Sequence, residues 1–384
     1  MNNRLLLVFL VFAPACVFTD LAELPPPIAI VNNVEPDLLE DLSADMDTTD
    51  MGETCALTPR SLTTDNITHF AADRFADVVF YAVRLSTGGI RLGRIEGDSV
   101  SSSFATTSIP GGGIHSISVA AVDEQRMLLA ILMDETRLVR VWSCTSNGCT
   151  SFGTTGLQNI REMQLAGGDP PMLGYVRGVV PNQEFVAQGI DLDMNAIIPG
   201  QALRATLLTG VEGMSFAAGI GNNHRVAFGS PLNGYHTAFG SGMLEPEKCL
   251  TFEKRATDKY FTRVKRLNEF FLLRADGLYL TNCTTSLQLT PRLPADADVV
   301  PLAAGGQAFV VWPDTISGSD RVRGAVIESG TIQRTVDLGE WPGVSHIRAF
   351  RTASDLMVFF GGEGTHLQFF QASAQDLVTC FRND

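Results

Sequence analysis

Five times along the chain, a nearly unbroken apolar run is followed by a polar turn and a second, weaker apolar run. Val78-Val79-Phe80-Tyr81-Ala82-Val83 leads to Gly89-Ile90-Arg91-Leu92-Gly93, and Phe270-Phe271-Leu272-Leu273 to Gly277-Leu278-Tyr279-Leu280. Ala308-Phe309-Val310-Val311-Trp312 leads to Arg321–Val326, and Leu356-Met357-Val358-Phe359-Phe360 to Thr365–Phe370. The fullest copy reads Ile117–Val122, Met127–Met133, Leu138–Trp142 and Thr150–Gly153. Strict alternation would mark a strand with one wet face. A continuous apolar run marks a strand covered on both faces.

Copies begin about every 40–50 residues, the spacing of propeller blades. A blade has four antiparallel strands, and its second strand is packed between the neighbouring blades. The expected fold is therefore an all-β propeller over residues 55–384, with about seven four-stranded blades and six as the alternative. A pair of β-sandwiches accounts for the strands but not for their recurrence. The 36 glycines and 18 prolines suit many short strands joined by turns.

The stretch Phe309-Val310-Val311-Trp312-Pro313-Asp314, continued by Val322-Arg323-Gly324-Ala325-Val326, resembles repeats of exported bacterial β-propellers. In those repeats a V-V-W-x-D strand and turn precede an I-x-G-A-x-V strand. The match is clear in this copy and holds in outline in the others. The resemblance implies a scaffold used for varied binding roles, not a particular activity.

The first residues read as an export signal. Asn2-Asn3-Arg4 is a short positive start, Leu5–Phe12 is apolar but too short to span a bilayer, and Ala13-Pro14-Ala15 supplies small residues. Residues 1–15 are expected to be this signal. Ala13–Cys16 also resembles the lipobox of bacterial lipoproteins, which implies lipid attachment at Cys16 and, with Val17 following, the outer membrane or cell surface. Plain secretion or a periplasmic location is the alternative. Residues 16–54 read as a tether, stiff at Pro25-Pro26-Pro27 and acidic from Glu35 to Glu53. Asp45, Asp47 and Asp50 lack the glycine and the terminal glutamate of a calcium loop, so a solvated linker is expected.

Setting Cys16 aside leaves six cysteines, an even number in an exported chain, which implies disulfides. Cys144 and Cys149 flank Thr-Ser-Asn-Gly between two apolar strands. A four-residue hairpin loop with Gly148 at positive φ would bring them face to face. A zinc site would need further ligands at short spacing, and none follows. Cys55 and Cys380 lie at the two ends of the repeats, where a ring must close, and are expected to pair. Cys249–Cys283 is then left as the third bridge.

The chemistry in the sequence is thin. A net charge of −14 opposes nucleic acid and anionic membrane surfaces, leaving the Cys16 anchor as the one membrane contact. No H-E-x-x-H, G-x-S-x-G or sialidase-type Asp-box occurs, so no catalytic residue, cofactor or metal is assigned. His69, His115 and His346 each stand about ten residues before an apolar second strand. That places each at the start of an innermost strand, where a channel-mouth ligand site could draw on all three. The expected function is a non-catalytic binding scaffold for a protein or glycan at the cell surface. The alternative is an exported hydrolase or lyase acting on polysaccharide.

Overall fold

The computed structural model describes residues 59–105, 113–152 and 158–198 (except 169, 180 and 181), and the backbone of nine strands between 203 and 290. It also describes residues 298–373, except 302–307, 317, 329–330, 345, 353–354 and 363. The chain divides into Met1–Met51 and Gly52–Asp384, and all described residues belong to the second unit. The signal and tether segments, Cys16, Cys55, Cys249, Cys283 and Cys380 therefore lie outside the described residues.

Strand β1 (Arg60–Ser61) comes first. Seven antiparallel sheets follow among the described residues. The first holds β2 (Ile67–Phe75), β3 (Val78–Leu85), β4 (Ile90–Glu96) and β5 (Ser99–Ala105). The second holds β6 (Ile114–Ala121), β7 (Met127–Met133), β8 (Val139–Thr145) and β9 (Gly148–Ser151). The third has five strands, β10 (Ile160–Ala166), β11 (Met172–Val179), β12 (Asn182–Asp191), β13 (Ala196–Ile197) and β14 (Leu203–Leu207). The fourth and fifth run from β15 (Glu212–Ala218), β16 (His224–Ser230), β17 (Gly234–Gly240) and β18 (Glu245–Glu247) to β19 (Phe261–Arg263), β20 (Phe270–Arg274), β21 (Gly277–Thr281) and β22 (Ser286–Thr290). The sixth holds β23 (Asp298–Pro301), β24 (Ala308–Ile316), β25 (Ser319–Glu328) and β26 (Thr331–Glu340). The seventh joins β27 (His346–Arg351), β28 (Asp355–Gly361) and β29 (Gln368–Ser373) to β1 as its fourth strand.

The continuous apolar runs are the second strands, and their packing explains their composition. Val78, Phe80 and Ala82 of β3 join a cluster with Leu129 and Ile131 of the second sheet. The intervening Val79, Tyr81 and Val83 join another with Met357, Phe359 and Phe369 of the seventh. Side chains alternate between faces along a strand, so both faces of β3 are dry. In the same way Leu128, Ala130 and Leu132 of β7 pack with Leu173 and Tyr175 of the third sheet. Phe309 and Val311 of β24 pack with Leu356, Val358 and Phe360 of the seventh. Sheets stacked in chain order, with first strands side by side from β2 through β6, β10 and β15 to β19 and from β23 through β27 back to β2, define a β-propeller.

The glycine of the third strand has a steric cause. A Cβ on Gly93 would lie 2.0 Å from the Tyr81 ring, and one on Gly324 would lie 2.8 Å from the Phe309 ring. In both sheets the glycine of the third strand makes room for an aromatic of the second, and both aromatics are fully buried. Gly324 is the glycine of the G-A-x-V motif.

Polar side chains bridge neighbouring sheets. Asp73 of β2 accepts a hydrogen bond from the Ala121 backbone N–H of the second sheet at 2.9 Å. Ser118 of β6 accepts one from Leu165 of the third at 2.9 Å, and Asp298 of β23 one from Ala349 of the seventh at 2.8 Å. Closure uses the same device. The Leu367 N–H donates to Thr63 Oγ1 at 2.9 Å, while Arg60 and Ser61 pair with Phe369 and Gln368.

Cys144 and Cys149 are joined by a disulfide, with Cα atoms 4.1 Å apart. They face each other in the β8–β9 register, and Gly148 has φ 128°. Thr145 also pairs with Gly148, so the loop is Ser146-Asn147, two residues rather than four. The ladder runs one pair further because the Thr145 hydroxyl accepts the Asn147 N–H at 3.3 Å and tightens the turn.

Candidate functional site

Among the described residues, the candidate site lies where the first strands begin. In the first three sheets the register between the first and second strands shifts by one residue near that end. The shift falls between Ile67 and His69, between Ile114 and Ser116, and between Ile160 and Glu162. The backbone of β15 repeats it between Glu212 and Met214. The extra residues are Thr68, His115, Arg161 and Gly213, the second residue of each strand. A bulge leaves its residue out of the ladder and redirects it. The recurrence turns Thr68, His115 and Arg161 out of the regular pleat at equivalent places.

Contacts link these residues around the rim. The neutral His69 ring donates from Nε2 to the His115 carbonyl at 3.2 Å, and its Nδ1 accepts from the Thr68 hydroxyl at 3.1 Å. Arg84, paired with His69 in the register, donates to the Ile114 carbonyl at 3.4 Å. The His115 Nδ1 lies 3.6 Å from Asp134 Oδ1, and Arg137 lies 3.8 Å from the same oxygen. The Ile160 N–H then donates to the Arg137 carbonyl at 3.1 Å, reaching the third sheet.

His346 is exposed at the first position of β27, whose sheet borders the first. Burial holds the His69 imidazole below its ordinary value. The Arg84 guanidinium adds to that, His346 and His115 add smaller repulsions, and the bond to the His115 carbonyl opposes them. The three histidines thus sit on three neighbouring first strands, each within electrostatic reach of the central one. Both ring nitrogens of His69 already have partners. Among the described residues, no group of three His, Cys, Asp or Glu side chains is placed to hold a metal ion.

Beside His115 the rim opens into a groove of about 730 Å³ between the second and third sheets, lined by Arg137, Asn159, Arg161, Glu162 and Val179 among others. Arg161 donates from Nε to the Gly178 carbonyl at 2.9 Å. Two of the four non-glycine residues with positive φ among the described ones are here, Arg137 at 50° and Asn159 at 59°. Asparagine tolerates that conformation, whereas arginine does so at a cost of about 1 kcal/mol or more. At the opposite strand ends, a hollow of about 410 Å³ is lined by Phe75, Asp123, Glu124 and Arg126.

Arg84, Asp134, Arg137, Asn159 and Arg161 carry no motif in the sequence. The bulges that position His115 and Arg161 leave no mark there either. The one legible hint is the polar turn Asp134-Glu135-Thr136-Arg137 directly after a strongly apolar strand.

No protein-family model and no curated protein matches the sequence. Among solved structures, a prolyl endopeptidase aligns with a TM-score of 0.50 at 13% identity, over 82% of this chain and 49% of that one. At that identity the likeness concerns the fold alone. A fucose-binding lectin from Aleuria aurantia aligns at 0.45 and 13% identity, over 72% of this chain and 98% of the lectin. The propeller domain of the trilobed protease from Pyrococcus furiosus aligns at 0.46 and 12%, over 80% and 97%.

Proposed function

We propose that the chain is an exported protein, anchored by lipid at Cys16 and tethered through residues 16–54. Its seven-bladed propeller acts as a non-catalytic scaffold that engages a glycan or protein at the cell surface. The ligand meets the face where the first strands begin, at the mouth formed by His69, His115 and His346. The recurring bulge carries this reading. It costs ladder pairing at the same place in four successive sheets, and what it supplies in return is a row of redirected side chains beside a groove. Binding residues held at strand ends by a rigid scaffold suit recognition through loops and edges.

The test is site-specific photo-crosslinking in cells, with the crosslinker at exposed His346 on the proposed face or at exposed Phe75 at the opposite strand ends. A discrete adduct from position 346 alone is expected, and its loss in a Cys16→Ala version would place the partner at the membrane. The same adducts from both positions, or adducts from position 75 alone, would refute the assignment of the face.

A further inference from the structure

The groove between the second and third sheets differs in character from the protein around it. The chain as a whole is strongly acidic, with a net charge of −14. Yet the groove brings together Arg137 and Arg161, from a turn and a bulged strand position, with Glu162 as the one carboxylate of its lining and Asp134 paired to Arg137. Arg161 is fixed by its Nε bond to the Gly178 carbonyl. Among the described residues its two terminal nitrogens take no protein partner, so a planar pair of donors is held in place at the groove. Fixing the guanidinium beforehand lowers the entropy lost on binding. Arg137 is held by Asp134 and by a left-handed backbone, a conformation that an arginine adopts only when its surroundings enforce it. Asn159, also left-handed, stands beside the Ile160 N–H that bonds the Arg137 carbonyl, so the two special conformations are coupled across the sheet boundary.

We infer that this groove binds an acidic oligosaccharide, with a sugar carboxylate seated on the Arg161 fork and Arg137 beside it. This deepens the proposed function and rests on its assignment of the binding face. A fixed guanidinium matches a carboxylate through two parallel hydrogen bonds. The remaining lining favours a polyol. Asn159 offers both donors and an acceptor, with Val179 as a limited apolar contact. A volume of about 730 Å³ lies within the range of small-ligand sites.

Titration calorimetry on the full chain would use trigalacturonate, with uncharged maltotriose and a peptide bearing a free terminal carboxylate as comparisons. Trigalacturonate is expected to bind at least about tenfold more tightly than either comparison. Arg161→Gln should weaken it by about tenfold or more, Arg161→Lys by less, with unchanged thermal melting because the side chain is exposed. Equal binding of the sugar acid and maltotriose would overturn the carboxylate assignment, and preference for the peptide would overturn the saccharide class. Binding of trigalacturonate that survives Arg161→Gln but is lost on His69→Ala or His346→Ala would overturn the groove and keep the face. Absence of trigalacturonate binding overturns this inference, and the position-346 crosslink then decides separately whether the face itself survives.

Discussion

Asp298 offers the most direct test of how the sheets are held together. Its side chain is 1% exposed. One carboxylate oxygen accepts the Val299 N–H and the other the Ala349 N–H of the next sheet, both at 2.8 Å. Each bond to a charged acceptor contributes about 1.5–3 kcal/mol net. Asp298→Ala removes both and strands two N–H groups beneath the surface. It also releases a buried charge, a relief of a few kcal/mol that offsets part of the loss. The net expected destabilisation is about 3 kcal/mol. Asp298→Asn keeps one acceptor oxygen and should cost roughly half of that. Urea unfolding followed by tryptophan fluorescence is well placed to see this. Trp312 lies in the same sheet as Asp298, and Trp341 packs on Phe360 of the seventh sheet with ring centroids 4.7 Å apart. Trp142 in the second sheet is a remote reference. A free-energy change below about 0.5 kcal/mol for the alanine variant, the range of ordinary surface substitutions, would refute the bridging role.

Three further outcomes are expected. Gly93→Ala should destabilise the protein by about 1–3 kcal/mol through overpacking against the buried Tyr81 ring, read as a lowered melting temperature, whereas Ala at exposed Gly89 should not. Replacing Cys144 and Cys149 together by alanine should cost about 2 kcal/mol in the chain-entropy description of so short a loop, seen as about 30-fold faster amide exchange in β8 and β9 and little change elsewhere. His69 has a depressed pKa, so the unfolded chain binds the extra proton first as pH falls. Stability from this group is complete above the ordinary value of 6.5 and is lost as pH drops through the window below it. His69→Gln should flatten the stability profile there, and an NMR titration placing His69 at or above 6.5 would contradict the reasoning.

The second strands were legible because burial on both faces needs an unbroken apolar run, and β3, β7, β20, β24 and β28 all coincide with such runs. The second strands of the third and fourth sheets carry no such run. In β11 the run is broken by Gly174 and Arg177, and in β16 by Arg225 and Gly229, so neither stands out by composition. The hairpin disulfide was legible from spacing, but its loop length was not, since one extra backbone pair leaves no trace in residue types. The placing of His69, His115 and His346 at first-strand starts followed from their distance to the next apolar run. Their arginine neighbours did not follow. Arg84 and Arg161 owe their places to register and to bulges, which depend on how two strands slide against each other rather than on which residues they contain.

The pairing of β1 with β29 has a consequence for how such a chain comes into being. Thr63 and Leu367, joined by a hydrogen bond, are separated by 304 positions. The residues that complete the seventh sheet are therefore synthesised long before their partners in β29. Until β29 is made, Arg60–Thr63 have nowhere to dock, and until they reach it β29 is an open edge able to recruit a stray strand from another molecule. The six sheets in between can form by local encounters, but this seam closes the longest loop among the described pairings and sets the pace of the final step. A chain that lacks β29 would lose the landing place of Arg60–Thr63.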